Sequence, residues 1–499
     1  MKLKEIFIIC IALLFMLSVS GCSNNLPPDT VVNTGKKSVS SPVILKYFTI
    51  GTPDADLKIV NNELNKLLEK NINIKIEYNK INWSDYGRFL SNMINSGADF
   101  DIAFSSEGDQ ADYSANARKG AFMALNPYLD TLGKEMYSVI NPLLWEGVRI
   151  NDKIYGVPTN KEVAVPEWWI YKKDLVDKYD IDISGYTTLE SLETLFRLIQ
   201  QNEPEYTVME LDQSSHNFFV LEDYEYILNK DIPLMVRSTD KSLKIVNIFE
   251  TDLTRKTLDT LRKYYKAGYI NEDAAVRSNP GLIKGQHVFW RARGAGPYAT
   301  ASWSKDTGYE VVAQQVSSTT VTTESARGGI MAVSSHTKNP EACIRFLNYL
   351  NTNPEVRNLL NYGIEGIHYD LTENGQVSVR EDSGYAGVTY TQGNWFILKT
   401  LKGDPQNKWE EFKQFNNSAI KSEALNFTPD VSNPSISSKL DSVSKVTRKF
   451  YPALMTGTID PATWLPIFLK ELKGAGIDDL KAVFQQQMDL WKSKKQRGP

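Results

Sequence analysis

Apolar and polar positions near the start of the chain follow two periods in turn, which predict strands and helices. Residues 43–50 are a short apolar run typical of a buried strand, and over residues 57–68 the apolar positions fall on one helical face. Asp54 or Asp56 is placed to cap this helix. A strand, a helix and a strand are predicted next, at residues 72–78, 83–96 and 101–104. This order is typical of a parallel sheet with crossover helices.

The loops that follow these strands are the first candidates for a binding site. Ligands of open parallel sheets bind beyond the carboxyl ends of the strands. Residues 51–54 and 105–109 lie there, and they supply the carboxylates of Asp54, Glu107 and Asp109. We therefore expect these three side chains near a ligand.

A second unit is predicted after residues 154–160, a short strand with Gly and Pro that suits a passage between domains. Residues 163–171 follow as a strand, on which Trp168 and Trp169 point to opposite faces. Further on, a helix is predicted over residues 253–266, before Gly268.

A capping box is predicted where the next apolar stripe begins. Thr187 and Glu190 have the required spacing. The stripe behind them consists of Leu189, Leu192, Leu195, Phe196 and Ile199.

Aromatic and basic side chains concentrate around a Gly-Pro turn in residues 284–303. They include Trp290, Arg291, Arg293, Tyr298 and Trp303. We interpret this stretch as a second passage between the domains and residues 328–333 as a third. Pro340 then begins a helix with Cys343, Phe346, Leu347 and Leu350 facing inward.

The first 22 residues predict export. Two lysines precede an apolar run over residues 6–17, which is short for a permanent membrane span, and small residues precede Cys22. The ending resembles a bacterial lipobox, which implies cleavage before Cys22, lipidation of its thiol and a lipid anchor on the outer face of the cell membrane. A Gram-positive host fits this arrangement. An ordinary signal peptide with an incidental cysteine is the alternative.

Composition narrows the class of protein further. Residues 23–42 are polar and aperiodic, which predicts a flexible tether. The chain has 499 residues, of which 41% are hydrophobic, enough for two or three domains. Its net charge of -4 gives no basic face for nucleic acid, and Cys343 alone would remain as a free thiol, which excludes a disulfide framework. The 24 Tyr and 10 Trp favour a ligand recognised by flat stacking surfaces.

The order of motifs resembles a known family of exported proteins. After the lipobox-like ending and the tether come YGVP at residues 155–158, GGIMAVSSHTKNPEACIRFLNYL from Gly328 and YGIEGIHYDL at residues 362–371. This order resembles the family 1 extracellular solute-binding proteins of bacterial ABC sugar importers, in particular the LipO-like lipoprotein branch. The tail from Tyr451 resembles the carboxyl-terminal domain of unknown function in many of them. The resemblance covers nearly all of residues 43–494.

The resemblance implies an α/β fold of the two-lobed periplasmic-binding-protein class, type II or Venus-flytrap. Three crossings join the lobes, which close on a ligand by hinge bending. Lobe 1 is expected to comprise residues 43–157 and 291–333. Lobe 2 is expected to comprise residues 158–290 and 334–499, with a helical carboxyl-terminal domain at about 425–499.

The same resemblance implies a monomeric receptor, without a cofactor, that captures a carbohydrate and delivers it to ABC permease subunits. An oligosaccharide is the expected ligand. Sugars fit the composition, because their C–H faces stack on aromatic rings and their hydroxyls pair with carboxylates and guanidinium groups. A receptor for peptides, amino acids or other small solutes is the alternative, and an exported glycan-degrading lipoprotein is a more distant one.

Each candidate contact residue has a second interpretation. The candidate stacking platforms are Trp168, Trp169, Trp290, Trp303 and Trp395, yet tryptophan more often packs in a core. Arg291 and Arg293 grip hydroxyls or an acidic sugar, or form a structural ion pair. Tyr298 is a further candidate, and Glu365 lies in a Gly-flanked loop that a helix end also explains.

Motifs for catalysis are weak. Asp99 with Asp101, or Glu107 with Asp109, could serve a glycosidase, but such pairs occur throughout a chain of this composition. Ser-x-x-Lys occurs at Ser302, Ser335 and Ser442, without the KTG or SDN that accompany it in enzymes. The sequence has no GxSxG, HExxH or P-loop, and its four His lack metal-ligand spacing. These observations favour binding over turnover.

Overall fold

The computed structural model describes residues 41–108, 111–214, 218–278 and 288–497. The predicted signal peptide with Cys22, the tether up to residue 40 and Asp109 lie outside the described residues. From Pro42 onward the chain forms one compact unit.

The strands are short except for the two at the start of the unit. In chain order they are β1 (Val43–Ile50), β2 (Ile74–Ile81), β3 (Ile102–Ser105), β4 (Arg149–Ile150), β5 (Lys153–Ile154), β6 (Gly156–Pro158), β7 (Glu167–Lys172), β8 (Tyr224–Tyr226), β9 (Leu234–Arg237), β10 (Val246–Asn247), β11 (Phe289–Arg293), β12 (Val311–Gln315), β13 (Thr320–Val321), β14 (Ile330–Val333), β15 (Tyr369–Leu371), β16 (Val377–Val379) and β17 (Ile420–Lys421).

The α-helices vary from one turn to six, and the longest stand at the carboxyl end. In chain order they are α1 (Leu57–Ile72), α2 (Tyr86–Ser96), α3 (Tyr113–Arg118), α4 (Asn126–Leu129), α5 (Lys134–Val139), α6 (Pro142–Gly147), α7 (Lys173–Lys178), α8 (Glu193–Asn202), α9 (Asp252–Lys266), α10 (Ala299–Thr307), α11 (Thr323–Ala326), α12 (Pro340–Thr352), α13 (Pro354–Tyr362), α14 (Lys408–Asn417), α15 (Pro434–Met455), α16 (Pro461–Gly474) and α17 (Ile477–Arg497). No helix of the described residues combines the length and apolarity that crossing a bilayer requires.

The first lobe is built on a five-stranded sheet in the order β2-β1-β3-β14-β6. Strand β1 pairs in parallel with β2 and β3, as the sequence predicts, whereas β14 runs antiparallel to β3 and β6. Its core includes Tyr47, Ile76 and Phe104, all buried. Since parallel strands end at one edge, the loop after β3 opens at the carboxyl edge of this sheet.

The second lobe contains two antiparallel three-stranded sheets, β11-β7-β12 and β10-β9-β8. Helices α8, α9 and α15–α17 share one core with them. Trp169 of β7 faces that core, while Trp168 faces a small cluster on the other side of the sheet. The prediction that these two side chains point to opposite faces is therefore confirmed.

The local predictions are right for the apolar faces of helices and less accurate for the residues that cap them. The stripe from Leu189 to Ile199 is buried, and α12 begins at Pro340 as predicted. The capping box at Thr187 and Glu190 is wrong by one residue, because Thr188 and Ser191 form the reciprocal pair: Thr188 N donates to Ser191 Oγ at 3.2 Å, and Ser191 N donates to Thr188 Oγ1 at 3.3 Å.

Two segments lie in the opposite lobe from the one that the sequence predicts. Residues 291–333 were expected in lobe 1, where β14 does lie, but β11 and β12 pair with β7 in the second lobe. Helices α12 and α13 were expected in lobe 2, but Phe346 and Leu360 pack in the core of the first lobe. An apolar stripe shows that a helix is buried on one side, and it does not show against which sheet.

The chain passes between the lobes three times. The passages lie between β6 and β7, between β12 and β14, and between α13 and α15. The predicted second passage, residues 284–303, instead contains β11 and the start of α10, both within the second lobe as far as it is described. The carboxyl-terminal helices belong to the second lobe, where the sequence predicts them.

Candidate ligand-binding site

A cavity of about 430 Å³ lies between the two lobes, and we call it the interlobe cavity. Residues 223–231, which we call the cleft segment, supply eight of its described lining residues. The lining comprises Glu107, Gly108, Val165, Glu167, Ser214, Val220, Asp223, Tyr224, Glu225, Tyr226, Leu228, Asn229, Lys230, Asp231, Ser238, Arg291, Arg293, Ser317, Ser318, Thr320, Thr322, Glu324 and Ser325.

The first lobe reaches the cavity through the loop after β3. Glu107 and Gly108 lie just beyond the carboxyl end of that strand, where a parallel sheet places its ligand contacts. Gly108 has a φ of +98°. A residue with a Cβ would be strained at this positive φ, so the turn favours glycine.

Arg327 holds the Glu107 carboxylate in place. Its guanidinium is fully buried, and Nη1 donates to Glu107 Oε2 at 3.2 Å while Nε donates to the carbonyl of Gly147 at 2.8 Å. Ser114 Oγ donates to the same carboxylate at 2.6 Å. The carboxylate is therefore oriented before any ligand arrives, and sequence analysis did not single out Arg327.

Two arginines on β11 form a chain of ion pairs along the cavity wall. Arg291 Nε donates to Glu167 Oε2 at 2.6 Å, and Arg293 Nε lies 2.9 Å from Glu167 Oε1. Arg293 Nη1 also donates to Glu324 Oε1 at 3.2 Å. Pairing of β7 with β11 puts Glu167 opposite Arg293, which explains the contact. Both guanidinium groups thus face carboxylates of the protein.

A buried guanidinium nitrogen and two buried tyrosine hydroxyls lie near each other. Arg291 Nη1 has no hydrogen-bond partner among the described residues, whereas the hydroxyls of Tyr226 and Tyr451 interact with each other. Burial raises the pKa of Tyr226, the Tyr451 hydroxyl adds to the rise, and the charge of Arg291 opposes it, so the three groups are neighbours. Buried polar groups are rarely left unpaired in a folded protein. Two of the three residues, Tyr226 and Arg291, line the interlobe cavity.

Glu225 has an unusual protonation equilibrium. Burial raises the pKa of its carboxyl to about 7, Ser422 opposes the rise by donating a hydrogen bond, and the charge of Glu324 adds to it. Near neutral pH this carboxyl can therefore both accept and donate hydrogen bonds.

The structure brings together Glu107, Arg291 and Arg293 of the sequence-derived candidates and places the tryptophans elsewhere. Trp168, Trp290 and Trp303 lie in the cluster on the far face of the β11-β7-β12 sheet, under α10. Trp169 is fully buried in the second core, edge-on to Phe289 with ring centroids 5.8 Å apart.

The remaining candidates make contacts within the protein. Asp54 Oδ2 accepts from Lys80 Nζ at 2.7 Å, a buried ion pair. Tyr298 donates its hydroxyl to Glu411 Oε2 at 2.5 Å. Trp395 packs against Trp409, with centroids 6.5 Å apart, and donates from Nε1 to the carbonyl of Thr389 at 3.0 Å.

Glu365 lines a different and larger cavity of about 650 Å³, which is confined to the first lobe. Its lining comes from α1, α13 and the loops at residues 363–369 and 396–399. None of its described lining side chains carries a buried, unpartnered polar atom, whereas the interlobe cavity has one in Arg291 Nη1. A few convergent polar groups are one mark of a small-molecule site, and in the interlobe cavity they come from both lobes, so we take this cavity as the candidate.

Sequence analysis missed most of the cavity wall. Tyr224, Glu225 and Tyr226 form β8, which is only three residues long. Such a strand shows too little alternation to be recognised. Among the described residues, the aromatic lining consists of Tyr224 and Tyr226, and the predicted tryptophans are not part of it. No group of three or more His, Cys, Asp or Glu side chains in the described part of the chain is arranged to hold a metal ion.

Two lobes joined by three passages, with a polar cavity between them, define a solute-binding protein of the two-lobed type. The family model described as bacterial extracellular solute-binding protein matches residues 64–364, and the chain belongs to that family. A second model, for a domain of unknown function named DUF3502, matches residues 423–493, which include α15 and α16.

Relatives align over almost the whole chain. A carbohydrate ABC transporter substrate-binding protein of Streptococcus pneumoniae serotype 4 is 29% identical over 476 residues, which cover 93% of this chain and 95% of the relative. The crystal structure of the N-glycan transport solute-binding protein NgtS of S. pneumoniae is 27% identical, with a TM-score of 0.83 over 91% of this chain and 100% of that one. The NgtS complex with Man5GlcNAc is also 27% identical, with a TM-score of 0.72 over 90% and 99%.

Proposed function

We propose that this protein captures an oligosaccharide in the interlobe cavity and delivers it to the permease of an ABC importer. The observation that carries the proposal is the lining of that cavity, in which carboxylates, guanidinium groups, hydroxyls and two tyrosines converge from both lobes. Sugar hydroxyls pair with such polar groups, and the C–H faces of a sugar ring stack on tyrosine.

The relatives support this ligand class. One is described as a carbohydrate transporter component, and NgtS has been crystallised with Man5GlcNAc. The NgtS structure and its Man5GlcNAc complex match this chain with TM-scores of 0.83 and 0.72. Two-lobed proteins of this kind bind a ligand between the lobes by hinge closure.

The charge of the cavity favours an uncharged glycan. Among the described lining residues there are six carboxylates and three cations, which leaves -3 when all are ionised. The carboxylates are Glu107, Glu167, Asp223, Glu225, Asp231 and Glu324, and the cations are Lys230, Arg291 and Arg293. Both arginines already pair with carboxylates, so neither offers an uncompensated charge to an acidic sugar. The acidic sugar that Arg291 and Arg293 suggested by sequence is therefore disfavoured.

The anchor and the partners complete the proposal. The family is extracellular, and lipidation of Cys22 would hold the protein on the outer face of the membrane beside its permease. We propose that the protein acts as a monomer and without catalysis: it binds its ligand and releases it unchanged.

A binding screen tests the function. The chain from residue 23 is titrated by calorimetry with neutral oligosaccharides including Man5GlcNAc, with uronic-acid oligomers of similar length, and with peptides and amino acids, and each bound ligand is recovered for mass spectrometry. We expect an intact neutral oligosaccharide to bind at least tenfold more tightly than its acidic counterpart. A peptide as the tightest ligand, or a glycan recovered in pieces, would contradict the proposal.

Two matched variants test the location of the site. Glu324→Gln alters an exposed carboxylate of the interlobe cavity, and Glu365→Gln alters an exposed one of the larger cavity. We expect Glu324→Gln to bind the ligand about tenfold more weakly, as the loss of a hydrogen bond to a charged group would give. We expect Glu365→Gln to bind it with unchanged affinity. The reverse result would move the site to the first-lobe cavity.

A further inference from the structure

The carboxyl-terminal helices contact the wall of the interlobe cavity directly. Arg448 of α15 points its guanidinium at Asp231 of the cleft segment, with Nε and Nη2 at 2.7 and 2.5 Å from Asp231 Oδ2. Ser444, one turn earlier, has its hydroxyl 3.5 Å from the same oxygen. Tyr451, three residues after Arg448, lies behind Tyr226 of the cleft segment. Residues spaced by three and four lie on one face of a helix. Ser444, Arg448 and Tyr451 have this spacing, so all three contacts come from one face of α15.

Ser422 and Glu423, which precede α15 in the chain, contact the wall of the interlobe cavity at two further positions. Ser422 Oγ donates to Glu225 Oε1, and the backbone N–H of Glu423 donates to the carbonyl of Ser238 at 2.8 Å. The cleft segment is thus held at its middle and at its end by residues 422–451.

The cleft segment needs support of this kind. Its strand, β8, is the outer strand of the β10-β9-β8 sheet and spans three residues, and the rest of the segment is loop. Loops and outer strands open more readily than a sheet interior, because fewer packed contacts hold them.

We propose that the carboxyl-terminal domain, for which no function is known, positions the cleft segment for ligand binding, with Arg448 and Tyr451 as positioning residues. The proposal rests on the proposed function, since it assigns the domain a part in the same site. Arg448 fixes the end of the segment through Asp231. Tyr451 fixes Tyr226, which shares the neighbourhood of the buried Arg291 guanidinium.

A domain that merely adds stability would behave differently, and the chain offers a matched control. Arg448 is 68% exposed and pairs across to Asp231, whereas the adjacent Lys449 is 60% exposed and pairs with Glu471 inside the domain, at 2.9 Å. The acidic partners are 18% exposed in Asp231 and 37% exposed in Glu471. Pairs with one exposed partner contribute modestly to the free energy of unfolding, and the Asp231 pair contributes the more of the two. Arg448→Ala and Lys449→Ala should therefore both fold, with a slightly larger fall of the thermal midpoint in Arg448→Ala.

Hydrogen exchange in the absence of ligand tests the positioning. Amide exchange is measured for peptides covering residues 223–231 in the chain from residue 23, in the wild type and in both variants. We expect exchange in this segment to become roughly threefold to tenfold faster in Arg448→Ala and to stay unchanged in Lys449→Ala. Equal exchange in the two variants would overturn the proposal.

Ligand affinity supplies the second readout, with the tightest carbohydrate of the screen as the probe. We expect about threefold to tenfold weaker binding for Arg448→Ala and for Tyr451→Phe, which keeps the packing against Phe249 and loses only the hydroxyl. Unchanged affinity in both would overturn the positioning role. If the wild type bound no carbohydrate, the proposed function would fail, and the exchange measurement would still decide whether the domain holds the segment.

Discussion

Arg327 shows how one buried side chain can organise a binding site. Its guanidinium reaches the Glu107 carboxylate, the carbonyls of Gly147 and Arg149, and the hydroxyl of Thr428. The arginine lies between α11 and β14, where the chain passes back to the first lobe, so its contacts join residues that are far apart in sequence. A buried charge is tolerated only when it is paired and hydrogen-bonded, and Arg327 meets both conditions.

Replacing this arginine should destabilise the fold. In Arg327→Met, Glu107 loses its cation and the two carbonyls lose their donor, which we expect to lower the free energy of unfolding by about 3–5 kcal/mol. Urea denaturation measures the change. Arg345→Met, which breaks a surface pair with Glu341, is the control and should alter stability by less than about 0.5 kcal/mol. Equal effects would contradict the role assigned to Arg327.

Glu225 should make stability depend on pH. Its pKa is raised to about 7, above the ordinary value of 4.5, so between these pH values the folded state binds more protons than the unfolded state. Stability therefore falls as pH rises through this window. The carboxyl is half-buried, so we expect about 1–2 kcal/mol less stability at pH 8 than at pH 5 from this group.

Glu225→Gln isolates that contribution, because glutamine can still accept the Ser422 hydrogen bond but does not ionise. Urea midpoints of the wild type and the variant are compared at pH 5 and pH 8. Asp112, whose pKa burial and Glu107 raise to about 6, titrates in both proteins and cancels in the comparison. A variant that loses as much stability as the wild type would contradict the assignment.

At the scale of elements, strand β7 has one face toward the candidate site and one face toward a packed cluster. Glu167 and Trp168 are adjacent, yet the first faces the interlobe cavity and the second faces the cluster under α10. The sheet pleat makes this alternation unavoidable. Which face meets the ligand was not visible in the sequence, because both faces of the strand are buried.

Substitutions at these two positions should therefore have opposite effects: one should lower the free energy of unfolding, and the other should lower the ligand affinity. Trp168→Phe should lower the unfolding free energy by about 1–3 kcal/mol, since it leaves a cavity, while ligand affinity stays the same. Glu167→Gln should weaken ligand binding about tenfold or more, because it removes the carboxylate that holds both arginines. Calorimetric titration and thermal denaturation of both variants check this, and lost affinity in Trp168→Phe would refute it.

At the scale of the whole molecule, anchoring and binding should be separable. The cavity is formed by residues 107–325, far in sequence from the predicted lipidation site. Cys22→Ala should release the protein from the membrane fraction of its host while leaving ligand affinity unchanged. Cell fractionation and calorimetry check the two halves of this expectation. Weaker binding by the variant would mean that the anchor region takes part in the site.

Local patterns predicted much of the fold and little of the site. The strands at residues 43–50 and 101–104, the α9 helix and the buried stripe behind Leu189 follow from short-range periodicity. Glu107 followed from the rule for parallel sheets. The tryptophan candidates did not reach the cavity, because a large aromatic residue buries well in any core and its sequence position does not say which one.

The sequence by itself determined the class of protein. Its alternating strands and helices predicted a parallel sheet with crossover helices, because periodicity and turn chemistry act over a few residues and can be read from the chain. The family resemblance carried by its motif order implied the two-lobed solute-binding fold. Only the tertiary structure decided which segments share a lobe and which side chains meet. Arg327, Glu107 and Asp231 act through partners 100 to 220 residues away, and contacts at that separation depend on how completed elements pack.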